Sequence, residues 1–395
     1  MTRLSARVQA IAPSPTLAVS ARATALKARG VDVIGFGAGE PDFDTPLHIR
    51  RAAEVAVAAG ATRYTAVAGT MTLRAAVAAD LAPVHGLPLS PENVIVTVGA
   101  KHALHNLFLA LLEPGDEVVL PIPCWTSYPE LIRMAGGTAV PLPTHPDEEY
   151  RIDEARLAAL VSPRTRAIVL VSPSNPTGAV YDAATLEIVA RVVRDRGGPD
   201  TCVITDDIYR RLVYEGGYVS ITQVAPELRD RTIFVDGVSK TYAMTGWRIG
   251  FCAGPKDLIG ALTNLQSQST THAAAVSQAA ALAAITGPQD CVEEMRREFA
   301  ARRRIMCDRL RRIPEVRLAE PHGAFYAFPD LSAYLRGPLT DDVALCEHLL
   351  EHGGVALVPG SAFLAPGFVR LSYATSLANI EEGLRRLERT LAGLG

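Results

Sequence analysis

The sequence predicts an α/β fold, a mostly parallel sheet sandwiched by helices, followed by a smaller α+β domain. Three observations carry this. From about residue 90 to 255, short apolar runs alternate with helix-length stretches, the order that crossover connections between parallel strands require. After "TGPQD" (286–290) the texture changes to a long Arg-rich stretch and then to short strand-like pieces. The 395 residues, 48% hydrophobic and 21% charged, suffice for two or three domains and a large core.

The elements follow in chain order. "MTRLSARVQAIAPSPTLAV" is interrupted by charge and two prolines and lacks the continuous apolar core of a secretory leader, so a cytoplasmic protein is expected. "VIGFGAGEPDFDTP" sets Gly35, Gly37 and Gly39 after an apolar run, which invites a dinucleotide reading. The spacing is G-x-G-x-G, and Pro41 and Pro46 prevent the helix that would receive a pyrophosphate, so that reading is rejected. "NVIVTVG", "DEVVLPI", "TRAIVLVS", "CVITDD", "RTIFVDG" and "RIGFCAG" are the strand candidates, with helices such as 101–112 and 183–196 between them. "HAAAVSQAAALAAITG" is too short and weakly apolar to span a bilayer. In "CVEEMRREFAARRRIMCDRLRRI" the arginines fall among Met295, Phe299, Ile305 and Leu310, which reads as a solvated amphipathic helix rather than a nucleic-acid face. "GAFYAFPD", "GVALVPG" and "GFVRLSYA" then supply short strands before a final helix. The expected division is an N-terminal segment 1–45 packing with the small domain, a large domain 46–286, and a small domain 287–395.

Composition excludes several classes of function. A net charge of −3 provides no basic field for nucleic acid or an anionic membrane. Cys124, Cys202, Cys252, Cys291, Cys307 and Cys346 are scattered, with no C-x-x-C pair, and read as reduced thiols. His102 and His105 stand one turn apart without a third ligand in view, so no metal is expected.

Several stretches carry possible chemistry. In "DGVSKTYAMTGWRIG" a single lysine, Lys240, stands among small and apolar residues, eight positions before Arg248. It is either a loop lysine that snorkels to water or a desolvated amine held ready to attack a carbonyl. Gly99 and Ala100 turn a strand into a helix whose first N–H groups suit an anion, and Lys101 adds charge there. Asp206 and Asp207 end a strand, where open α/β sheets bind ligands, with Tyr209 close behind. A helix N-cap would explain one of the two carboxylates. Asn175, between Ser174 and Pro176, follows another strand end in "VSPSNPTGAVYD", where turn chemistry alone also accounts for the residues.

Together, "GAGEPDFDTP", "YTAVAGTMTLR", "VTVGAKHAL", "PCWTSYPE", "SPSNPTG", "TDDIYRRLVYEG", "VSKTYAMTGWRIG", "PHGAFYAF" and "FVRLSYATS" run in one order over nearly the whole chain. In these motifs the sequence resembles the class I, fold-type-I pyridoxal-phosphate aminotransferases, and within them the bacterial aspartate and prephenate subgroup. The resemblance implies roles residue by residue. Lys240 would attach pyridoxal 5′-phosphate covalently and later carry the proton at the substrate carbon. Asp206 would pair with the pyridine nitrogen, while Asn175 and Tyr209 would hydrogen-bond the phenolic oxygen and Trp125 would stack on the ring. Gly99, Ala100, Lys101, Ser239, Arg248 and Tyr64 would hold the phosphate. In relatives that tyrosine comes from the partner subunit, which implies a homodimer with shared sites. Arg370 would clamp the substrate α-carboxylate, assisted by Asn175 and the backbone at Gly39.

Ser14, Thr16 and Lys101 match the positions with which the subgroup recognises a distal carboxylate, so aspartate or glutamate with 2-oxoglutarate or oxaloacetate is expected. Ala12 and Pro13 replace a frequent basic residue, Cys124 a common aromatic, and His272 a frequent Asn. These departures keep a specialised aminotransferase in view, beside a same-fold lyase.

Overall fold

The computed structural model describes residues 2–9, 11 and 15–394. All six apolar runs fold as strands, and Thr138–Pro143 joins them to make a seven-stranded sheet. Across the sheet the order is Val94–Thr97, Gly250–Ala253, Thr232–Gly237, Cys202–Asp206, Thr165–Val171, Glu117–Ile122 and Thr138–Pro143. Gly250–Ala253 runs antiparallel to both its neighbours, and every other pairing is parallel. The central strands Cys202–Asp206 and Thr232–Gly237 are buried along their whole length. Helices on both faces leave no residue for water, which is why these strands appear as continuous apolar runs rather than alternating ones.

Thr138–Pro143 escapes a sequence reading for a physical reason. Its pairing is confined to Glu117–Ile122 at the sheet edge, Leu142 alone of its six residues is buried, and it carries Pro141 and Pro143. Proline lacks the N–H a central strand needs but is tolerated at an edge, so the residues that look like turn signals are edge-strand residues here.

Beyond the sheet, Asp290–Leu310 forms the long helix. It departs from a fully solvated basic face, because Arg302 and Arg303 are buried. Arg302 pairs with Asp42 at 2.7 Å and Glu298 at 2.8 Å, and Arg303 with Glu215 at 2.7 Å. Their aliphatic stems cover apolar surface while the guanidinium groups find carboxylates on other segments. Val358–Pro359, Val369–Ser372 and Tyr326–Ala327 form an antiparallel three-stranded sheet. The N-terminal segment pairs with this part of the chain through Ile34–Gly35 and Val355–Ala356. Phe36 sits over Gly383 of the helix Leu377–Ala392, where any Cβ would strike its ring. Among the described residues no helix is long and apolar enough to cross a membrane.

Candidate active site

The ends of four strands open on a single cavity of about 310 Å³, at the edge where open α/β sheets bind ligands. Val94–Thr97 delivers Ala100 and Lys101, Glu117–Ile122 delivers Trp125, Cys202–Asp206 delivers Asp206, and Thr232–Gly237 delivers Ser239 and Lys240. Gly39, Asn175, Tyr209, Arg248 and Arg370 line the same cavity.

Lys240 hydrogen-bonds through Nζ to the carbonyl of Gly39. Burial lowers its pKa from 10.5 to about 8, against the opposing pull of Glu40, while Arg370 and Arg248 lower it further. Held inside the cavity on a backbone carbonyl, Lys240 fits the desolvated amine rather than a lysine that snorkels to water.

Asp206 ends its strand, and no helix follows it, so the N-cap explanation fails. Its Oδ2 accepts from the Tyr128 hydroxyl at 2.7 Å and its Oδ1 from the Ile208 N–H at 3.3 Å. Burial raises its pKa to about 6, and these donors oppose the rise. Asp207 does not line the cavity; it accepts from the Thr205 and Tyr218 hydroxyls, each at 2.8 Å. Burial, then the charge of Asp236, pushes its carboxyl up to about 8. Nearby, burial holds His85 down to about 3, so it stays neutral, with Nδ1 2.9 Å from the Ser220 hydroxyl. Asp207→Ala would leave two buried hydroxyls without their acceptor. It should cost roughly 1–3 kcal/mol of stability, seen as a lower unfolding midpoint in urea, while turnover of the loaded enzyme stays within a few-fold.

At the opposite wall Arg370 belongs to Val369–Ser372 and is only 2% exposed. Its Nη1 donates to Asn175 Oδ1 and its Nη2 to the Gly37 carbonyl, both at 2.9 Å. The guanidinium lies 4.5 Å from the centre of the Tyr326 ring and 5.0 Å from that of Phe363, and its Nε is buried without a partner. The Tyr209 and Tyr326 hydroxyls are 2.8 Å apart.

The third wall suits an anion. Gly99 adopts a φ of 80° at the start of the helix Ala100–Leu111, and a Cβ there would collide with the Arg248 guanidinium. A Cβ on Gly250 would collide with the Gly99–Ala100 backbone. Glycine at both positions therefore lets a guanidinium and a helix N-terminus close on one point. Arg248 Nη1 donates to the Thr245 carbonyl at 2.9 Å, and the Lys101 ammonium stands 4.8 Å from the centre of the Trp125 ring. Partial burial, then Arg248, lowers the Lys101 pKa. His102 anchors this turn: its Nδ1 accepts from the Val98 N–H at 3.2 Å.

Not every expected residue arrives here. Tyr64 lies away from the cavity, 89% exposed and edge-on to His272 with ring centres 5.5 Å apart. Ser14 lies outside the described residues, and of Thr16 only the backbone, within Pro15–Ala28, is described. Among the lining residues that sequence reasoning left unassigned are Tyr128 and Tyr326. Both fall inside motifs quoted above, "PCWTSYPE" and "PHGAFYAF", but a tyrosine in such a run is equally a core residue.

The family model described as "Aminotransferase class I and II" matches residues 31–387. The aspartate/prephenate aminotransferase of Nitrosomonas europaea is 44% identical over 99% of this chain and 100% of its own length. The aspartate aminotransferase of Geobacillus stearothermophilus is 46% identical over 98% of each chain. A solved structure of the Thermus thermophilus aspartate aminotransferase with maleate superposes with a TM-score of 0.93 at 45% identity, covering 99% of this chain and 100% of that one. With a family match over most of its length and relatives 44% and 46% identical over nearly the whole chain, this chain belongs to the class I and II aminotransferases.

Proposed function

We propose that this aminotransferase uses pyridoxal 5′-phosphate to move amino groups between aspartate or glutamate and 2-oxoglutarate or oxaloacetate. The observation that carries this reading is the meeting of Lys240, Asp206 and Arg370, from three separate segments, around one cavity whose remaining wall is a cationic helix start. The cavity fits such a cofactor: Gly99 and Gly250 let the Arg248 guanidinium and the helix N-terminus close together as an anion site, and a buried carboxylate faces it from another strand end.

Bound pyridoxal phosphate supplies a protonated ring that withdraws electrons from the substrate's Cα. The chain's residues do the rest. Asp206, kept in a dry site, would hold the ring nitrogen's proton. Trp125 would cover one ring face, Asn175 and Tyr209 would donate to the phenolic oxygen, and Gly99, Ala100, Lys101, Ser239 and Arg248 would receive the phosphate. Arg370, held by Asn175 and Gly37, would grip the substrate carboxylate with the Gly39 backbone beside it. Lys240, with its lowered pKa, would take the Cα proton as a neutral amine and return it to the carbon on the other side of the amino nitrogen, two bonds away. Amino donor and oxo-acid acceptor would occupy this cavity in turn, a ping-pong sequence.

A homodimer follows from the same reading. Val55, Val57, Tyr64 and Met71 are exposed apolar side chains on or beside the helices Leu47–Ala58 and Met71–His85. A second copy seated there would cover them and receive Tyr64 at its own phosphate end. The free cysteines fit a cytoplasmic enzyme, and the division 1–45, 46–286 and 287–395 fits the separate sheets.

Purified protein given ¹⁵N-aspartate and 2-oxoglutarate should return ¹⁵N-glutamate and oxaloacetate in equal amounts by mass spectrometry. Release of free ammonia in place of labelled glutamate would indicate a lyase. Lys101→Ala tests the acidic preference. An ammonium–carboxylate contact is worth roughly 1.5–3 kcal/mol, so aspartate should lose about 10- to 150-fold in kcat/KM while alanine hardly changes. Parallel losses for both donors at saturating cofactor would sink the acidic assignment.

A further inference from the structure

Tyr128 lies in the first turn of the helix Ser127–Met134 and is 1% exposed, yet it lines the cavity wall. That hydroxyl donates to Asp206 Oδ2 at 2.7 Å. The same ring packs edge-on against Trp125, with centres 5.3 Å apart and planes at 84°, and its backbone N–H donates to the Trp125 carbonyl at 3.1 Å. One side chain thus touches both the carboxylate and the aromatic wall. Burial first, then Asp206, raises the phenol's pKa well above 10, so the oxygen keeps its proton and acts as donor.

We propose that Tyr128 is a positioning residue, which holds Asp206 ionised and aimed into the cavity while bracing Trp125. The inference rests on Asp206 being the partner of the cofactor's ring nitrogen. A carboxylate in so dry a site needs donors to stay charged, and here Oδ1 has only a 3.3 Å backbone contact. Without the phenol O–H the neutral acid gains ground. Cofactor binding needs the ionised form, so affinity falls as pH drops through the Asp206 pKa, about 6 in the native protein. In Tyr128→Phe that fall should begin at higher pH.

The test uses full-length protein freed of cofactor and retitrated with pyridoxal phosphate from about pH 5.5 to 8.5, followed by Trp fluorescence. Tyr128→Phe retains the ring, and so the Trp125 packing. It should bind about tenfold more weakly near pH 6, with the gap narrowing toward pH 8.5, as expected for one lost hydrogen bond to a charged group. In an Asp206→Asn background the same substitution should change affinity little. A Tyr128→Phe profile that superposes on the native one, or additive losses in the double variant, overturns the proposal even if the unfolding temperature drops. Unchanged affinity in Asp206→Asn alone would instead overturn the reading of Asp206, and this proposal with it.

Discussion

Replacing Lys240 by alanine is expected to lower amino transfer by about ten-thousand-fold or more, because one amine serves as both attachment point and proton carrier. Lys240 lines the cavity with its ammonium on the Gly39 carbonyl, so the fold and the cavity should persist, and the variant should still bind pyridoxal phosphate non-covalently. Borohydride reduction of the native holoenzyme followed by peptide mapping should place the label on Lys240, and label on any other lysine would refute the assignment. The lowered pKa adds a pH signature. An ordinary lysine amine is mostly protonated until about pH 10.5, whereas Lys240 becomes neutral as pH rises through about 8. Covalent attachment of cofactor, followed by rapid-mixing absorbance, should therefore accelerate through about pH 8.

Arg370→Ala should produce the second large loss. The guanidinium is buried and already braced by Asn175 and Gly37, so a substrate carboxylate would meet a fixed, desolvated partner. Removing one member of such a charge pair costs about 2–5 kcal/mol, or roughly 30- to several-thousand-fold in kcat/KM. Since every amino acid carries an α-carboxylate, aspartate and alanine should suffer by similar factors, while cofactor affinity stays close to native. Arg370→Lys should recover only part, because an ammonium cannot reproduce the planar fork. A loss confined to aspartate would move Arg370 to the side-chain pocket and contradict the assignment.

The two variants divide the substrate into the part common to all amino acids and the part that distinguishes acidic ones. Lys101→Ala should discriminate between donors, and Arg370→Ala should not.

Much of the architecture is legible in the chain because fully buried strands leave a local mark. "TRAIVLVS" and "RTIFVDG" are continuous apolar runs, and each is a strand covered on both faces. Thr138–Pro143 leaves no such mark, since an edge strand answers to a single neighbour and tolerates proline. The long helix from Asp290 was legible by its apolar spacing, but not the burial of Arg302 and Arg303, which depends on Asp42 and Glu215 from distant segments.

The site divides in the same way. The sequence by itself determined where chemistry lies: a lone lysine among small residues, a glycine turn opening a helix, a pair of carboxylates at a strand end. These are properties of a few neighbouring residues and their turn chemistry. Only the tertiary structure decided which carboxylate serves the cavity. Asp206 meets Tyr128 there, while Asp207 turns to Thr205 and Tyr218. Successive side chains at a strand end point to opposite faces, so the choice depends on which face the rest of the protein hollows out. Tyr128 and Tyr326 gain their partners in the same manner, since an isolated motif does not record which distant group a buried hydroxyl will meet.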